Sequence, residues 1–442
     1  MSGVPIIKDK KRQSLRNEKI IFMNRLINIF VFVLCLCNLV ACDSSSDSLS
    51  KKSIELTQEG ASSLIIKDNS SVLQLDGFSK PLYIKNEKFA GMGYTFMQTN
   101  AIRLDAMKEP PAAISTNWKD SISITEGVTY WVRYTSLTTY KYIKLRVAYI
   151  DGSNVGIEYI LGKVDQRPNA NANTGYDKVS VTNYEMPHLN ASNYYVDHYV
   201  TFNGSQILNY ALEWNAEKKH SAWVAYSFDA VTSKIAIDRT DSWAVDPGLP
   251  TSMQTTEEDH KSDGFDKGHL CASYDRVYSK DANAQTFYYS NMSPQIASFN
   301  QGFWASFEGL VQNWARSNSY DKLYLTKGGT IDQLLINYVD SSKSQWTNDK
   351  GFTVHGLACP KYYFMAILSE KAGVYHAIGF WVEHRDDYGY SNGKYASSDV
   401  MKTYAVSIDK LEQLTGLDFF CNLPDDVENQ VESIYGESDW TW

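Results

Sequence analysis

Apolar and polar side chains alternate along much of residues 52–160, which predicts a β-rich, sandwich-like unit. Thr129–Tyr134 reads as one strand and Tyr140–Ile150 as another, with Ile143, Leu145, Val147 and Tyr149 sharing a face. Asp151 and Gly152 supply turn chemistry before Val155–Leu161 returns. Residues 161–183 break the pattern. Arg167–Gly175 within them is small, polar and aperiodic, as a linker would be. A second domain is expected over residues 184–442. It opens with strands, among them Ser221–Tyr226, and holds the clearest helix of the chain, Asn300–Ala315. There Phe303, Trp304, Phe307, Leu310, Val311 and Trp314 form one apolar stripe. Asn300 stands where a helix-capping residue belongs. A later helix, Ile408–Leu414, is framed by Ser407 and Gly416.

Residues 1–42 carry a different pattern. Met23, Asn24 and Arg25 precede an apolar run from Leu26 to Val40, which ends in Leu39-Val40-Ala41-Cys42. The run is shorter than the ~20 residues that span a bilayer as a helix. A basic start, an apolar centre and a small residue before the break fit a secretory signal. The last four residues resemble a bacterial lipobox, in which Cys42 is acylated and becomes the mature N-terminus. A plain N-terminal anchor helix is the other reading. Residues 43–51 are rich in Ser and Asp and read as a tether. The expected location is the cell envelope, lipid-anchored on the periplasmic face or cell surface, or secretion.

Composition narrows the class. Of 442 residues, 43% are hydrophobic and 21% charged, so a core can form. The 30 Tyr favour β-rich packing. The net charge of −9 argues against a surface that wraps nucleic acid all round, yet permits a local basic groove. Beyond Cys42 only Cys271, Cys359 and Cys421 remain, so at most one disulfide joins them. With no CxxC pair, a structural zinc site is not expected. Nothing in the sequence fixes an oligomeric state or a ligand for residues 52–160, which fit an accessory binding domain or a spacer equally.

Candidate chemistry sits in three nearby pieces: Asp266-Lys267-Gly268-His269, Asn291-Met292-Ser293-Pro294-Gln295, and the helix with Asn300 and Glu308. Strand-like Thr286–Ser290 leads into the second, so the expected order is strand, strand, loop, helix. Phosphodiester hydrolysis needs a base that works near neutral pH, which a histidine supplies. It also needs a cation beside the charge that builds on the phosphate. A hard ion such as Mg²⁺ takes oxygen ligands and keeps several waters. An Asn amide and a carboxylate about two turns later on the same helix can serve it. Gly268 lets backbone pass close to substrate or bend sharply, and Lys267 adds a phosphate-seeking charge.

Residues 266–308 resemble the DNA/RNA non-specific endonuclease family of the ββα-metal (His-Me finger) class. The family's Asp-Arg-Gly-His matches residues 266–269, its Ser-Asn-x-x-Pro-Gln matches 290–295, and its Asn-Gln-Gly-x-Trp-x-x-x-Glu matches 300–308. Weaker likeness extends over most of 185–442, through Trp223–Tyr226, Arg239–Pro247 and Leu325–Gly329. The resemblance implies an α+β fold: a central antiparallel sheet with flanking helices around a ββα motif. It implies a metal-dependent endonuclease that cuts DNA and RNA. His269 would be the general base, with Asn300 the direct ligand of Mg²⁺ or of Mn²⁺ in its place. Glu308 would hold the metal's water ligands. Arg239 and Lys267 would bind substrate phosphate, and Asn291 and Gln295 would order the site. Lys267 departs from the family's Arg: it keeps the charge and loses the bidentate fork. Two other readings stand beside this one: a catalytically weak, surface-displayed nucleic-acid-binding lipoprotein, and a phosphodiesterase for small nucleotides. Cys271 is given a structural role, with a disulfide to Cys359 or Cys421 left open.

Overall fold

The computed structural model describes residues 52–113 and 115–442. The signal, Cys42 and the 43–51 tether lie outside the described residues. Leu56–Trp442 forms one compact unit.

The first part of this unit is the expected sandwich. Its larger sheet has five antiparallel strands in the order Ser62–Lys67, Asn154–Gln166, Thr139–Asp151, Thr129–Thr135, Tyr94–Gln98. A smaller sheet of four short strands faces it, and both feed one core that includes Leu82, Phe89, Val132, Ile143, Leu145 and Val147. Strand pairing continues to Gln166, opposite Thr139, which is past the boundary that alternation alone suggested. The stretch that reads as a linker is docked rather than solvated. Asn169 Nδ2 donates to the carbonyls of Cys421 (3.0 Å) and Leu423 (2.6 Å), and Arg167 pairs with Asp426 at 2.5 Å. Asparagine is frequent in solvated loops, but its amide also binds backbone carbonyls, and composition does not separate the two uses.

The second part is built on a seven-stranded antiparallel sheet. Its order is Tyr194–Phe202, Ser205–Asn215, His220–Phe228, Lys322–Gly329, Tyr362–Lys371, Val374–Glu383, Ala405–Val406. Side chains alternate between two cores. Val224, Tyr226, Leu325 and Met365 face helix Ala305–Arg316, while Trp223, Ala225, Tyr324 and Phe364 face helices Ile408–Thr415 and Asp425–Ser433. Sheet and helices on both faces make the fold α+β, as expected. The Ile408–Thr415 helix starts on the Ser407 hydroxyl, which accepts from Lys410 N, and ends at Gly416 with φ 71°.

Two local expectations are corrected. Thr286–Ser290 is not a strand: it closes helix Lys280–Gln285 and enters a 3₁₀ turn, Tyr289–Asn291. Thr286 Oγ1 donates to the Asn283 carbonyl at 2.7 Å, so local hydrogen bonding overrides the aromatic β-propensity. The partner of Asp266–His269 is instead Met292–Gln295, the motif itself. Its Pro294 is tolerated because only two strands make up this ribbon. Nor does Asn300 cap an α-helix. Phe299–Trp304 is a π-helical turn that runs into Ala305–Arg316, and Asn300 N already bonds to the Ile296 carbonyl at 2.9 Å. Such turns often mark functional sites, because the wider winding re-aims side chains.

Candidate active site

The hairpin pairs Asp266 with Gln295, Gly268 with Ser293 and His269 with Met292, and the helix follows directly. Two glycines permit this close assembly. A Cβ on Gly268 would fall 2.1 Å from Gln295 Oε1, and one on Gly302 would fall 2.4 Å from the backbone nitrogen of Ser391. The close approach at Gly268 is thus to Gln295 of the partner strand. His384 fixes the entry to the helix: its Nε2 accepts from Ile296 N at 2.8 Å while Nδ1 lies 2.9 Å from the Pro360 carbonyl.

A cleft of about 370 Å³ opens where these elements meet. It is walled by Arg239, Trp243, Asp266, Lys267, His269, Asn300, Glu308 and Gln312, among others. His269 is half-buried, its ring 4.9 Å from Phe287 (edge-on) and 5.8 Å from Trp243. Its Nε2 is buried with no hydrogen-bond partner among the described residues. Burial pushes the imidazole down to about 3, and the Arg239 and Lys327 cations push the same way, so the ring is neutral at neutral pH.

Asn300 is held by its amide nitrogen, which donates to Asp266 Oδ2 at 2.9 Å; Gln301 donates to the same oxygen at 2.7 Å. With the amide so turned, Oδ1 of Asn300 is the atom left to bind a ligand. Glu308 stands on the same cleft and pairs with Lys327 at 2.6 Å. Lys327 is 2% exposed. Burial pushes Glu308 upward and the Lys327 ammonium opposes it. Arg239 is exposed, donates to Asp241 at 2.6 Å and lies 4.7 Å over the Phe287 ring. Lys267 lies 4.2 Å over the Trp243 ring. The cleft thus places two accessible cations, a neutral imidazole and oxygen donors on shared walls.

Five of the seven residues given roles from the sequence meet here: His269, Asn300, Glu308, Arg239 and Lys267; Gln295 is fully buried on the partner strand, off the cleft walls. Asn291 does not line the cleft either: it lies buried behind it, where its amide can order the site without touching substrate. It is fully buried, and its amide accepts from Cys271 N (2.8 Å) and donates to the Cys271 (2.9 Å) and Thr286 (2.7 Å) carbonyls. It therefore pins the chain just after His269 to the turn before the second strand. We expect Asn291→Ala to cost about 2–4 kcal/mol, because three buried backbone groups lose their partner. Urea unfolding of the variant reads this directly, and an unchanged midpoint would remove Asn291 from that role. Cys271, Cys359 and Cys421 are all buried free thiols, so no disulfide joins them.

Lys327 and Gln312 add to the site what the sequence reading passed over, while Asp266 and Gln301, named there only as motif residues, gain a place beside Asn300. Lys327 had a signal. It occupies an inward position of a buried strand, in step with Leu323 and Leu325, where a cation needs a partner.

The hairpin and the helix thus meet around one cation-lined cleft. Residues 190–426 match the model of the DNA/RNA non-specific endonuclease family. The chain is 25% identical to Nuclease C1 of Cunninghamella echinulata over 219 residues, covering 49% of this chain and 81% of that protein. It is 28% identical to a nuclease of Nostoc sp. over 227 residues, 51% and 75% of the two chains. It is 24% identical to human mitochondrial Endonuclease G over 216 residues, 49% and 68%. This chain belongs to the DNA/RNA non-specific endonuclease family, and it is a hydrolase acting on nucleic acids.

Proposed function

We propose that the protein is a metal-dependent endonuclease that hydrolyses phosphodiesters of DNA and RNA with little sequence preference. The observation that carries this reading is the sharing of one cleft by His269 and Asn300, with Arg239 and Lys267 on the same walls. The donor set fits a hard divalent cation such as Mg²⁺. Asn300 offers an amide oxygen held in place by Asp266, and Glu308 offers a carboxylate nearby. When bound, such an ion neutralises charge on the phosphate and on the departing oxygen.

The protein's own residues do the rest. His269 takes the proton of the attacking water as its oxygen bonds to phosphorus and the bond from phosphorus to the departing oxygen breaks. The neutral ring, whose Nε2 has no partner among the described residues, keeps a lone pair for this. Arg239 and Lys267 hold the phosphate, the former through its planar guanidinium. Lys327 keeps Glu308 oriented and offsets its charge. Base contacts are not needed for any of these steps, in keeping with weak sequence preference.

The cleft adjoins a larger groove of about 890 Å³ that shares Glu308 and Gln312 and extends past Asn313, Tyr395 and Trp442. That continuity favours a polymer over a small nucleotide. Incubation with plasmid, single-stranded DNA and RNA tests the proposal. Mg²⁺-dependent cleavage of all three, abolished by EDTA, is expected. Binding without cleavage would instead favour a catalytically weak binding protein, and cleavage confined to mononucleotide esters would favour the small-substrate phosphodiesterase.

The pH profile offers a further check. The base form of His269 exists above its pKa, which burial lowers to about 3. The acid limb of kcat/KM should therefore lie well below the ~6.5 of free imidazole, with activity retained near pH 5. A limb centred near 6.5 at saturating metal would contradict this environment for the ring. Lipid anchoring through Cys42 is proposed on the lipobox alone: Cys42→Ala should move the protein out of the membrane fraction.

A further inference from the structure

Away from the catalytic cleft, five carboxylates gather around the helices that cover the far face of the sheet. They are Asp409 and Glu412 on helix Ile408–Thr415, Asp418 just after it, and Glu428 and Glu432 on helix Asp425–Ser433. One carboxylate oxygen each from Asp409, Glu412 and Glu432 lie within 4.8 Å of one another. Asp409 and Glu412 are one turn apart and so project together. Glu432 reaches them from the second helix.

Glu432 is the unusual member. It is only 6% exposed, and its Oε1 is buried with no hydrogen-bond partner among the described residues. The neighbouring acids are better served. Glu412 Oε1 accepts from Phe419 N at 2.8 Å. Asn171 Nδ2 lies 2.8 Å from Glu428 Oε1 and 3.1 Å from Asp418 Oδ2. A buried carboxylate without a partner is costly, and like charges at this spacing repel. Glu432 is thus aimed, unpartnered, into a cage of oxygens.

We propose that Asp409, Glu412 and Glu432 bind a calcium ion that clamps the two helices together. Calcium takes six to eight oxygens at ~2.3–2.6 Å, so ligands on opposite sides of it lie up to about 5 Å apart. The 4.8 Å envelope of the three oxygens fits that sphere. Asp409 is exposed, which leaves a side open for entry and for water ligands. A partly aqueous, irregular carboxylate set suits calcium better than magnesium, which demands near-ideal octahedral geometry.

The clamp would reach beyond the two helices. Asp425 accepts from Ala170 N at 2.7 Å, Asp426 pairs with Arg167, and Asn171 bridges Asp418 and Glu428. The ion would thereby brace the segment that joins the N-terminal sandwich to the nuclease sheet. None of the three ligands lines the catalytic cleft.

The test uses the full chain carrying Asn300→Ala, which weakens metal binding in the cleft, after treatment with EDTA. Calcium chloride should raise its Tm by roughly 3–6 °C. Terbium, used as a luminescent stand-in for calcium, should bind at one site and be displaced by calcium. Adding Glu432→Gln should abolish both effects. In the otherwise wild-type chain, Glu432→Gln should leave Mg²⁺-dependent nucleic-acid cleavage measured without calcium unchanged. Should Glu432→Gln fail to fold, the exposed Asp409→Asn replaces it, with the same expectation. The proposal is overturned if calcium leaves the Tm of the Asn300→Ala chain unmoved, or if the Glu432→Gln chain keeps the full shift. It is also overturned if only acidification, and no cation, stabilises the cluster, since protons would then neutralise it.

Discussion

His269→Ala is expected to lower kcat by ~10²–10⁴ while the protein stays folded. The size follows from what a positioned base contributes when water is the nucleophile. Without it, proton transfer must go to solvent, and among the described residues the cleft has no second imidazole on its walls. The fold should survive because the ring makes no bond through Nε2 and is held by contacts with Phe287 and Trp243. Those two side chains also pack on each other at 5.1 Å, so the wall persists when the imidazole is removed. Single-turnover cleavage of a labelled oligonucleotide, beside a thermal melt, separates the two effects. Activity within a few-fold of the parent would exclude His269 as the base.

Asn300→Ala should bring the second large loss, and of a different kind. The substitution removes the amide oxygen offered to the metal and also the donor that engages Asp266. Changes in groups that merely support a metal ligand typically cost ~10–100-fold in metal affinity or activity, so loss of the ligand itself should cost at least that. Because the defect is one of binding, activity should recover in part as Mg²⁺ is raised. His269→Ala should show no such recovery, and this contrast distinguishes the two roles. Asp266→Ala should resemble Asn300→Ala in weaker form, since it frees the amide without deleting it. An Asn300→Ala enzyme with an unchanged metal requirement would rule out the assignment.

The parts of the fold legible in the sequence are those in which a single periodicity governs burial. Ile143, Leu145 and Val147 alternate and are buried, and Phe307, Leu310, Val311 and Trp314 line the buried face of a helix. The candidate site was legible because its residues are local: 266–308 hold the hairpin, His269, Asn300 and Glu308. What escaped depends on tertiary context. Thr286–Ser290 has strand-like aromatics, yet a helix end and the buried amide of Asn291 bend it into a turn. Asn300 sits at the right place for a cap, but a π-turn starts before it and re-aims its side chain. Lys327 lies 19 residues from the carboxylate it neutralises, on another element, so no spacing rule joins them. Arg167–Gly175 has the composition of a solvated linker, and only the facing carbonyls of residues 421–423 reveal that it docks.

The measurement that bears most directly on the catalytic proposal is a crystal structure of His269→Ala with Mn²⁺ and an uncleaved oligonucleotide. The account predicts one anomalous peak beside Asn300 Oδ1, with a phosphate between that ion and the space vacated by the imidazole. An ion bound away from Asn300, or a phosphate out of reach of position 269, would contradict it.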